Sequence, residues 1–353
     1  SIDNFTELSE QHAKTMGAMA NNYDKTLESQ QKFMENSEKL RQQAIDMSKY
    51  GVTINGVTSN GSLASPVEIS AAQTALAKAG VSDEAMLNTD VVSEIVQFAK
   101  ANDLGTEQSV SFAVALGNQF GYDYSQWGEM LDKVSHTADL APIGVSDVVQ
   151  SMKYAGGISS GLDRPMEETL AEIAVLGNFG LRGSQAGSGI QALLTRILTG
   201  DTTVITQAQA DVAPPKALDA FYNFSNYAKS GGTKITYDDI LNETFTENDI
   251  TGQLRPMDDV LDALEQQMSE LNDEEQAWFA KKLFGLYQMK SAYALINGDE
   301  NDSSLNDVIK EIQENSGGTN SNKLAELLNS QSGRLQSTRN LIEGIKTDLG
   351  QML

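Results

Sequence analysis

The apolar residues at the two ends of the chain repeat in steps of three and four. From Ile2 the series runs through Phe5, Ser9, His12, Met16, Met19, Tyr23, Thr26, Gln30, Phe33, Ser37, Leu40, Ala44 and Met47. Such alternation averages about 3.5 residues and marks the seam of a coiled coil. No proline interrupts residues 1–50. The pattern predicts one long helix there, about 70 Å at ~1.5 Å per residue, whose polar seam positions loosen any pairing. A second seam runs through Leu324, Leu328, Gln331, Leu335, Thr338, Ile342, Ile345, Leu349 and Met352. It predicts that 317–353 is a C-terminal helix entering a rod.

Residues 51–65 are rich in Gly, Ser, Thr and Asn and read as a linker, with Pro66 opening the next helix. Helical spacing then predicts segments near 66–79, 82–87, 90–102, 106–119, 124–136, 145–155, 165–178, 184–199 and 213–229. Further segments fall near 257–270, 273–284, 286–297 and 303–315. Asp90, Thr106, and Ser146 or its neighbour suit N-caps, because their side-chain oxygens accept first-turn amides. Gly156 and Gly157 suit a left-handed helix end, and Pro165 with Glu167 and Glu168 suits a helix start. Gly180 and Gly183 bracket a tight turn, after which Ser184 opens a helix. Between 231 and 256 the helical pattern fails. There Lys234–Tyr237 alternates and Gly252–Arg255 is a candidate to pair with it, so at most one small β-hairpin is expected. The fold class that follows is all-α: a multi-helix globular domain over 66–316 flanked by long coiled-coil-like helices.

Composition narrows the functions. The net charge is −24, from 25 basic and 49 acidic residues, so the chain as a whole repels the phosphate backbone. With no cysteine there is no disulfide, thiolate metal site or cysteine nucleophile. The two histidines, His12 and His136, are far apart in sequence and read as ordinary surface or seam residues. No apolar stretch approaches the ~20 residues of a membrane span, and the acidic, polar N-terminus is unlike a secretory signal. A chain that starts at Ser1 without methionine is expected to be an excerpt or a processed product.

Five groups of residues invite a sharper reading. Gly187-Ser188-Gly189-Ile190-Gln191-Ala192 matches a dinucleotide fingerprint, but a helix and a turn precede it where the fingerprint needs a strand, so no cofactor is expected. Glu167, Glu168 and Glu172 raise acid–base work on a glycan, yet carboxylates at a helix start are expected for the helix dipole alone. Asp299, Glu300, Asp302 and Asp307 form an acidic loop without the EF-hand order, which reads as a solvated loop rather than a metal site. Arg182 and Arg196 are expected to pair with carboxylates in the helical domain. Phe221, Tyr222, Phe224 and Tyr227, like Trp127 and Trp278, are expected in the core.

The run over 145–198 holds a helix ending in MKYAG, then P-x-E-E-T-L-A, a Leu-Gly-x-x-Gly turn, G-S-Q-A-G and a Leu/Arg-rich helix. This order resembles the core region of the TP901-type phage tail tape measure family. Gly252–Met257 is similar to the family's G-x-x-R-P-hydrophobic segment. Glu274-Glu275-Gln276 with Leu283-Phe284-Gly285 is similar to its E-E-Q and F-G elements, and 329–350 resembles its transition into the rod. The resemblance covers roughly 90–350, and 201–250 departs from it by being longer and more acidic. Gly177, Gly180, Gly183, Ser184, Ala186, Gly187, Gly189, Arg255, Pro256 and Gly285 are the structural motif residues; small residues there leave a helix start bare for close packing. The resemblance implies a virion structural protein, not an enzyme, with no cofactor. Its roles are filling the tail tube, setting tail length, supporting tube assembly and taking part in DNA ejection. It implies a place in the virion tail, in the tube lumen or at the tip, after assembly in the host cytoplasm. The implied partners are copies of itself along the rod, the tail tube protein, assembly chaperones and tail-tip or baseplate proteins. It implies no specific nucleic-acid binding, and this segment gives no indication of membrane contact. The alternatives are a tail-associated peptidoglycan hydrolase and a coiled-coil surface or interaction protein unrelated to phages.

Overall fold

The computed structural model describes residues 2–54, 57–199, 207–284, 305–351, and 291, 294 and 295. Among them the chain is all-α apart from one pair of short strands. It divides into two compact units. The first joins Ser1–Ser135 to Ser316–Leu353, and the second is His136–Asn315.

In the first unit the expected single helix over 1–50 is two helices, α1 (Ile2–Met19) and α2 (Leu27–Lys49). The break is made by local capping. Asp24 Oδ1 accepts the Thr26 amide at 2.8 Å, and the Thr26 hydroxyl accepts the Ser29 amide at 3.2 Å, which starts α2 afresh. The two helices then fold back on each other. Tyr23 meets Phe33 at 5.1 Å, His12 Nε2 meets Ser37 Oγ at 2.9 Å, and the Arg41 guanidinium lies 5.0 Å over the Phe5 ring. The buried face of α1 is Leu8, His12, Thr15 and Met19, one register off the expected seam in places. It packs on α3 (Pro66–Lys78), which begins with a capping box between Ser65 and Glu68.

The segment expected as a linker pairs with itself. β1 (Tyr50–Ile54) and β2 (Val57–Asn60) are antiparallel, with Ile54 opposite Val57 and Thr53 opposite Thr58. Asn55-Gly56, a preferred hairpin dipeptide, lies between the β-branched runs in the sequence. The hairpin expected within 231–256 does not form. Thr236 caps a short helix, Tyr237–Leu241, which takes the β-branched run out of play, and only an isolated bridge joins Ser230 to Gln253.

Three further helices of this unit are α4 (Asp83–Asn88), α5 (Val91–Ala101) and α6 (Thr106–Phe120), and α7 (Trp127–Asp139) begins in it. The expected cap Thr106 is the first helical residue after Gly105, and Asp90 precedes α5 without a side-chain cap bond.

The second unit contains α8 (Val145–Gly161), α9 (Met166–Asn178), α10 (Ser184–Thr199), α11 (Gln207–Ala210), α12 (Pro215–Ala228), α13 (Tyr237–Leu241), α14 (Met257–Ser269), α15 (Asp273–Phe284) and α16 (Leu305–Asn315). Gly156 and Gly157 were expected to end α8, but the helix continues to Gly161. Phe279 on α15 meets Phe221 and Phe224 of α12 edge-on at 6.4 and 6.1 Å. Phe221, Phe224 and Tyr227 are buried, as is Trp127, whereas Tyr222 and Trp278, also expected in the core, are half-buried. The expected helix over 286–297 lies almost wholly outside the described residues.

The chain then returns to the first unit through α17 (Thr319–Asn329) and α18 (Gln331–Gln351). They replace the single helix expected over 317–353. Ser330 is extended, and its hydroxyl accepts the Gly333 amide at 3.0 Å, so it closes one helix and caps the next. A polar latch holds the start of α17. Asp132 on α7 accepts the Gly318 and Asn320 amides at 2.7 and 2.8 Å, and Asn320 Oδ1 accepts from Ser135 Oγ at 2.6 Å and Asn102 Nδ2 at 2.9 Å. The C-terminal segment therefore packs into the first unit.

Glu94 on α5 sits under α7, so close to Gly128 that a methyl group there would lie 2.8 Å from its carboxyl carbon. Burial, then Asp132 and Asp90, pushes its pKa up to about 7. Below the ordinary value of 4.5 it is protonated whether folded or unfolded. As pH rises from there to about 7 only the unfolded chain loses the proton, so stability falls through that window and then levels. Glu94→Gln is expected to raise stability on the order of 2 kcal/mol at pH 8 and leave it unchanged at pH 4. Urea unfolding at the two pH values checks this, and an equal effect at both would refute the assignment.

Candidate functional site

Seven of the ten motif residues, Gly177 to Gly189, lie on α9, α10 and the turn between them, packed against α8 of the second unit. Local geometry explains their small size. Between α9 and α10 the chain turns through Gly180 and Gly183, with φ of +76° and +53°, a region that disfavours side chains. The Gly183 carbonyl accepts the Ser151 hydroxyl at 2.8 Å, which ties the turn to α8. Ser184 opens α10, and Ala186, Gly187 and Gly189 are buried in its first turns. Gly187 is the point of closest approach. A methyl group there would collide with the Ser151 carbonyl oxygen and lie 2.9 Å from the Ser151 Cα and the Tyr154 Cβ. At Gly177 it would press on Ile143 Cγ2 at 2.8 Å and Ala141 Cβ at 3.2 Å.

The α8–α9 turn holds an ion network, centred on the buried Arg164, that the sequence pattern did not single out. Arg164, at the end of the α8–α9 turn, donates through Nε to Glu168 at 3.1 Å and through Nη2 to Glu172 at 2.5 Å. Its Nη1 reaches Glu172 at 3.4 Å and Ser159 at 3.5 Å. Burial alone lowers the guanidinium's pKa, but the two carboxylates outweigh it and the net direction is up. Glu172 is fully buried, and with Glu168 it is committed to Arg164. Two carboxylates bound to one guanidinium are not facing each other across an open cleft, so the glycan reading of Glu168 and Glu172 loses its geometry. A sequence signal for the network did exist: Arg164, Glu168 and Glu172 are spaced by four at a helix start.

Arg255 and Pro256 close a second element of this unit. The Arg255 guanidinium stacks 4.1 Å over the Tyr227 ring and donates to the Tyr227 carbonyl at 3.2 Å, Ser230 Oγ at 2.8 Å and the Ile235 carbonyl at 2.5 Å. Its backbone amide bonds to the Ala228 carbonyl at 3.0 Å, so one residue gathers the whole 228–255 excursion. Pro256 then precedes α14 as its N-cap residue. Gly285 lies outside the described residues.

The other candidates find plainer roles. Gly187-Ser188-Gly189 lies within a helix with no strand before it. Arg196 donates to the Lys282 carbonyl at 3.2 Å, and Arg182 is exposed. His12 bonds Ser37, and His136 lies 3.3 Å from Glu311. Asp299, Glu300 and Asp302 lie outside the described residues, among which no cluster of three or more His, Asp or Glu is suited to a metal. No described helix is long and apolar enough to cross a membrane.

A family model described as phage-related minor tail protein matches residues 41–285. The tape measure protein of Pneumococcus phage Dp-1 is 29% identical over 90 residues, which is 26% of this chain and 8% of that protein. The match thus spans under a tenth of the relative's length. No solved structure matches the chain.

Two tests follow from the geometry. Gly187→Ala gains helix propensity of ~1 kcal/mol but meets the Ser151 backbone, and a net loss of about 1–3 kcal/mol is expected. Gly157→Ala, in open space on α8, is the control and is expected to stabilise by ~0.5–1 kcal/mol. Chemical unfolding of both variants decides it; the same sign in both would contradict the close approach. Separately, Arg164→Met leaves Glu172 buried without its charge partner and is expected to cost about 3–5 kcal/mol. Adding Glu172→Leu should recover most of that loss in the same unfolding measurement, and a double variant no better than the single one would refute the pairing.

Proposed function

This chain belongs to the phage-related minor tail protein family, and we propose that it is a segment of a tail tape measure protein. In this reading it sets tail length, supports assembly of the tail tube and takes part in DNA ejection. The observation that carries the reading is the family match over 41–285, which runs through residues of both compact units. A relative bearing the tape measure name supports it.

The physical character of the chain supports a mechanical part rather than a catalyst. Its mass is invested in helices, and the buried Glu172 and half-buried Glu168 carboxylates are bound to Arg164. The close-packed α8–α10 crossing, the Arg164 network and the Arg255 clasp hold a folded module together. A net charge of −24 does not trap DNA, because like charges leave the phosphate backbone without counterion release to gain. The working site is the virion tail, in the tube lumen or at the tip, following assembly in the host cytoplasm. Copies of the chain, the tail tube protein, assembly chaperones and tail-tip or baseplate proteins are the partners. The motif residues Gly177, Gly180, Gly183, Ser184, Ala186, Gly187, Gly189, Arg255, Pro256 and Gly285 act by shaping the module, not by binding a ligand.

The test is made in the phage, with the full gene. Four heptads are removed in frame from helical sequence outside residues 1–353, and tail lengths are read by electron microscopy. Shortening of about 42 Å, at ~1.5 Å per residue, is expected. Tails of unchanged length, with the protein still present in purified virions by mass spectrometry, would reject the length-setting role.

A further inference from the structure

The helix α18 carries two seams, and it buries the unexpected one. The face turned into the first unit is Gly333, Ser337, Asn340, Gly344 and Thr347, all buried. Asn340 donates to the Ser62 carbonyl at 2.8 Å, and Gly344 packs on Ser48. The opposite face is apolar and open: Leu335, Ile342, Ile345 and Leu349 are 58, 46, 45 and 55% exposed. A helix in a water-soluble domain ordinarily turns its apolar stripe inward. Here four large apolar side chains face outward at coiled-coil spacing, the geometry that receives a second helix.

Charge says which helix. Arg334, Arg339 and Lys346 border the stripe, whereas Asp348 is engaged by Lys49 at 2.7 Å. Two such stripes set together bring Arg334 against Arg339 when parallel, or Arg339 against Lys346 when antiparallel, and like charges oppose either pairing. A complementary surface exists on the same unit. At the start of α2, Leu27 and Met34 are 73 and 61% exposed, seven residues apart, and Glu28 and Glu35 border them. Within one copy α18 packs on the far end of α2, at Ser48 and Lys49, about 20 Å along the helix from Met34 at ~1.5 Å per residue. Both faces therefore stay available while the unit is folded.

We propose that the Leu335–Leu349 stripe of one copy docks on the Leu27–Met34 face of α2 in a second copy. The two faces differ, so the contact is heterologous and each copy added presents both faces again, which generates a ring or an open filament. The proposal deepens the self-association in the tail reading by giving it two named surfaces. It is decided in solution, apart from the tail-length test, so the two fail separately.

The experiment is sedimentation velocity on the full chain across a concentration series. Self-association that weakens with added salt is expected. R334E/R339E/K346E and E28K/E35K change only bordering side chains, and circular dichroism should confirm that both variants keep their helix content. Each variant alone is expected to associate at least ~tenfold more weakly than the parent, and mixing the two should restore association, because each then offers the charge the other lacks. A parent chain that stays monomeric at every concentration overturns the proposal. So does an E28K/E35K variant that associates as tightly as the parent, which would assign the stripe to pairing with itself.

Discussion

Every helix begins with backbone amides that have no partner within the helix, and in a chain built of short helices this need recurs at each start. Where a side chain meets it, the chain breaks and turns. Asp24 and Thr26 meet it inside what would otherwise be one rod, and Ser330 meets it inside the other. Ser65 with Glu68 meets it at the entry to α3. At α17 the partner comes from elsewhere: Asp132 supplies both oxygens to the Gly318 and Asn320 amides. That one carboxylate turns a local requirement into a tertiary connection, and it is how the C-terminal segment becomes part of the first unit.

In the second unit the governing constraint is closeness. α8 and α10 approach until the Ser151 backbone occupies the space a side chain at Gly187 would need, and the turn that permits this bends through two left-handed glycines. Close packing also encloses Arg164, whose charge is tolerated because Glu168 and Glu172 are enclosed with it. Carboxylates that looked free for chemistry in the sequence are thereby consumed by structure. This agrees with the mechanical part proposed above for this member of the phage-related minor tail protein family.

The first unit leaves more undone. A helix docked by Ser337, Asn340 and Thr347 presents its leucines and isoleucines to solvent, which is a costly arrangement for a chain that remains alone. The basic border of that stripe and the acidic border of Leu27 and Met34 make the two surfaces of one molecule fit each other rather than themselves. An assembly built on that fit grows by repetition, which is a natural property for a part of an extended structure.

By itself the sequence determined the helical class and most of the helix limits, since three-to-four spacing and glycine or proline punctuation act within a few residues. α10 and α15 run over the residues expected of them. The turn glycines Gly180 and Gly183 were legible for the same reason, since both take positive φ. The tertiary structure alone decided which seam faces inward. The heptad pattern of 324–352 specifies an apolar stripe, but nothing local says that α18 will turn its polar stripe to the protein. It also decided the partners of Asp132, nearly 190 residues away, and the enclosure of Arg164. The helix over 1–50 was misread because the seam continues through residues 20–26 while Asp24 and Thr26 compete for its backbone. Periodicity records what a segment is able to bury. What it does bury depends on contacts from distant parts of the chain, whose energies no local pattern contains.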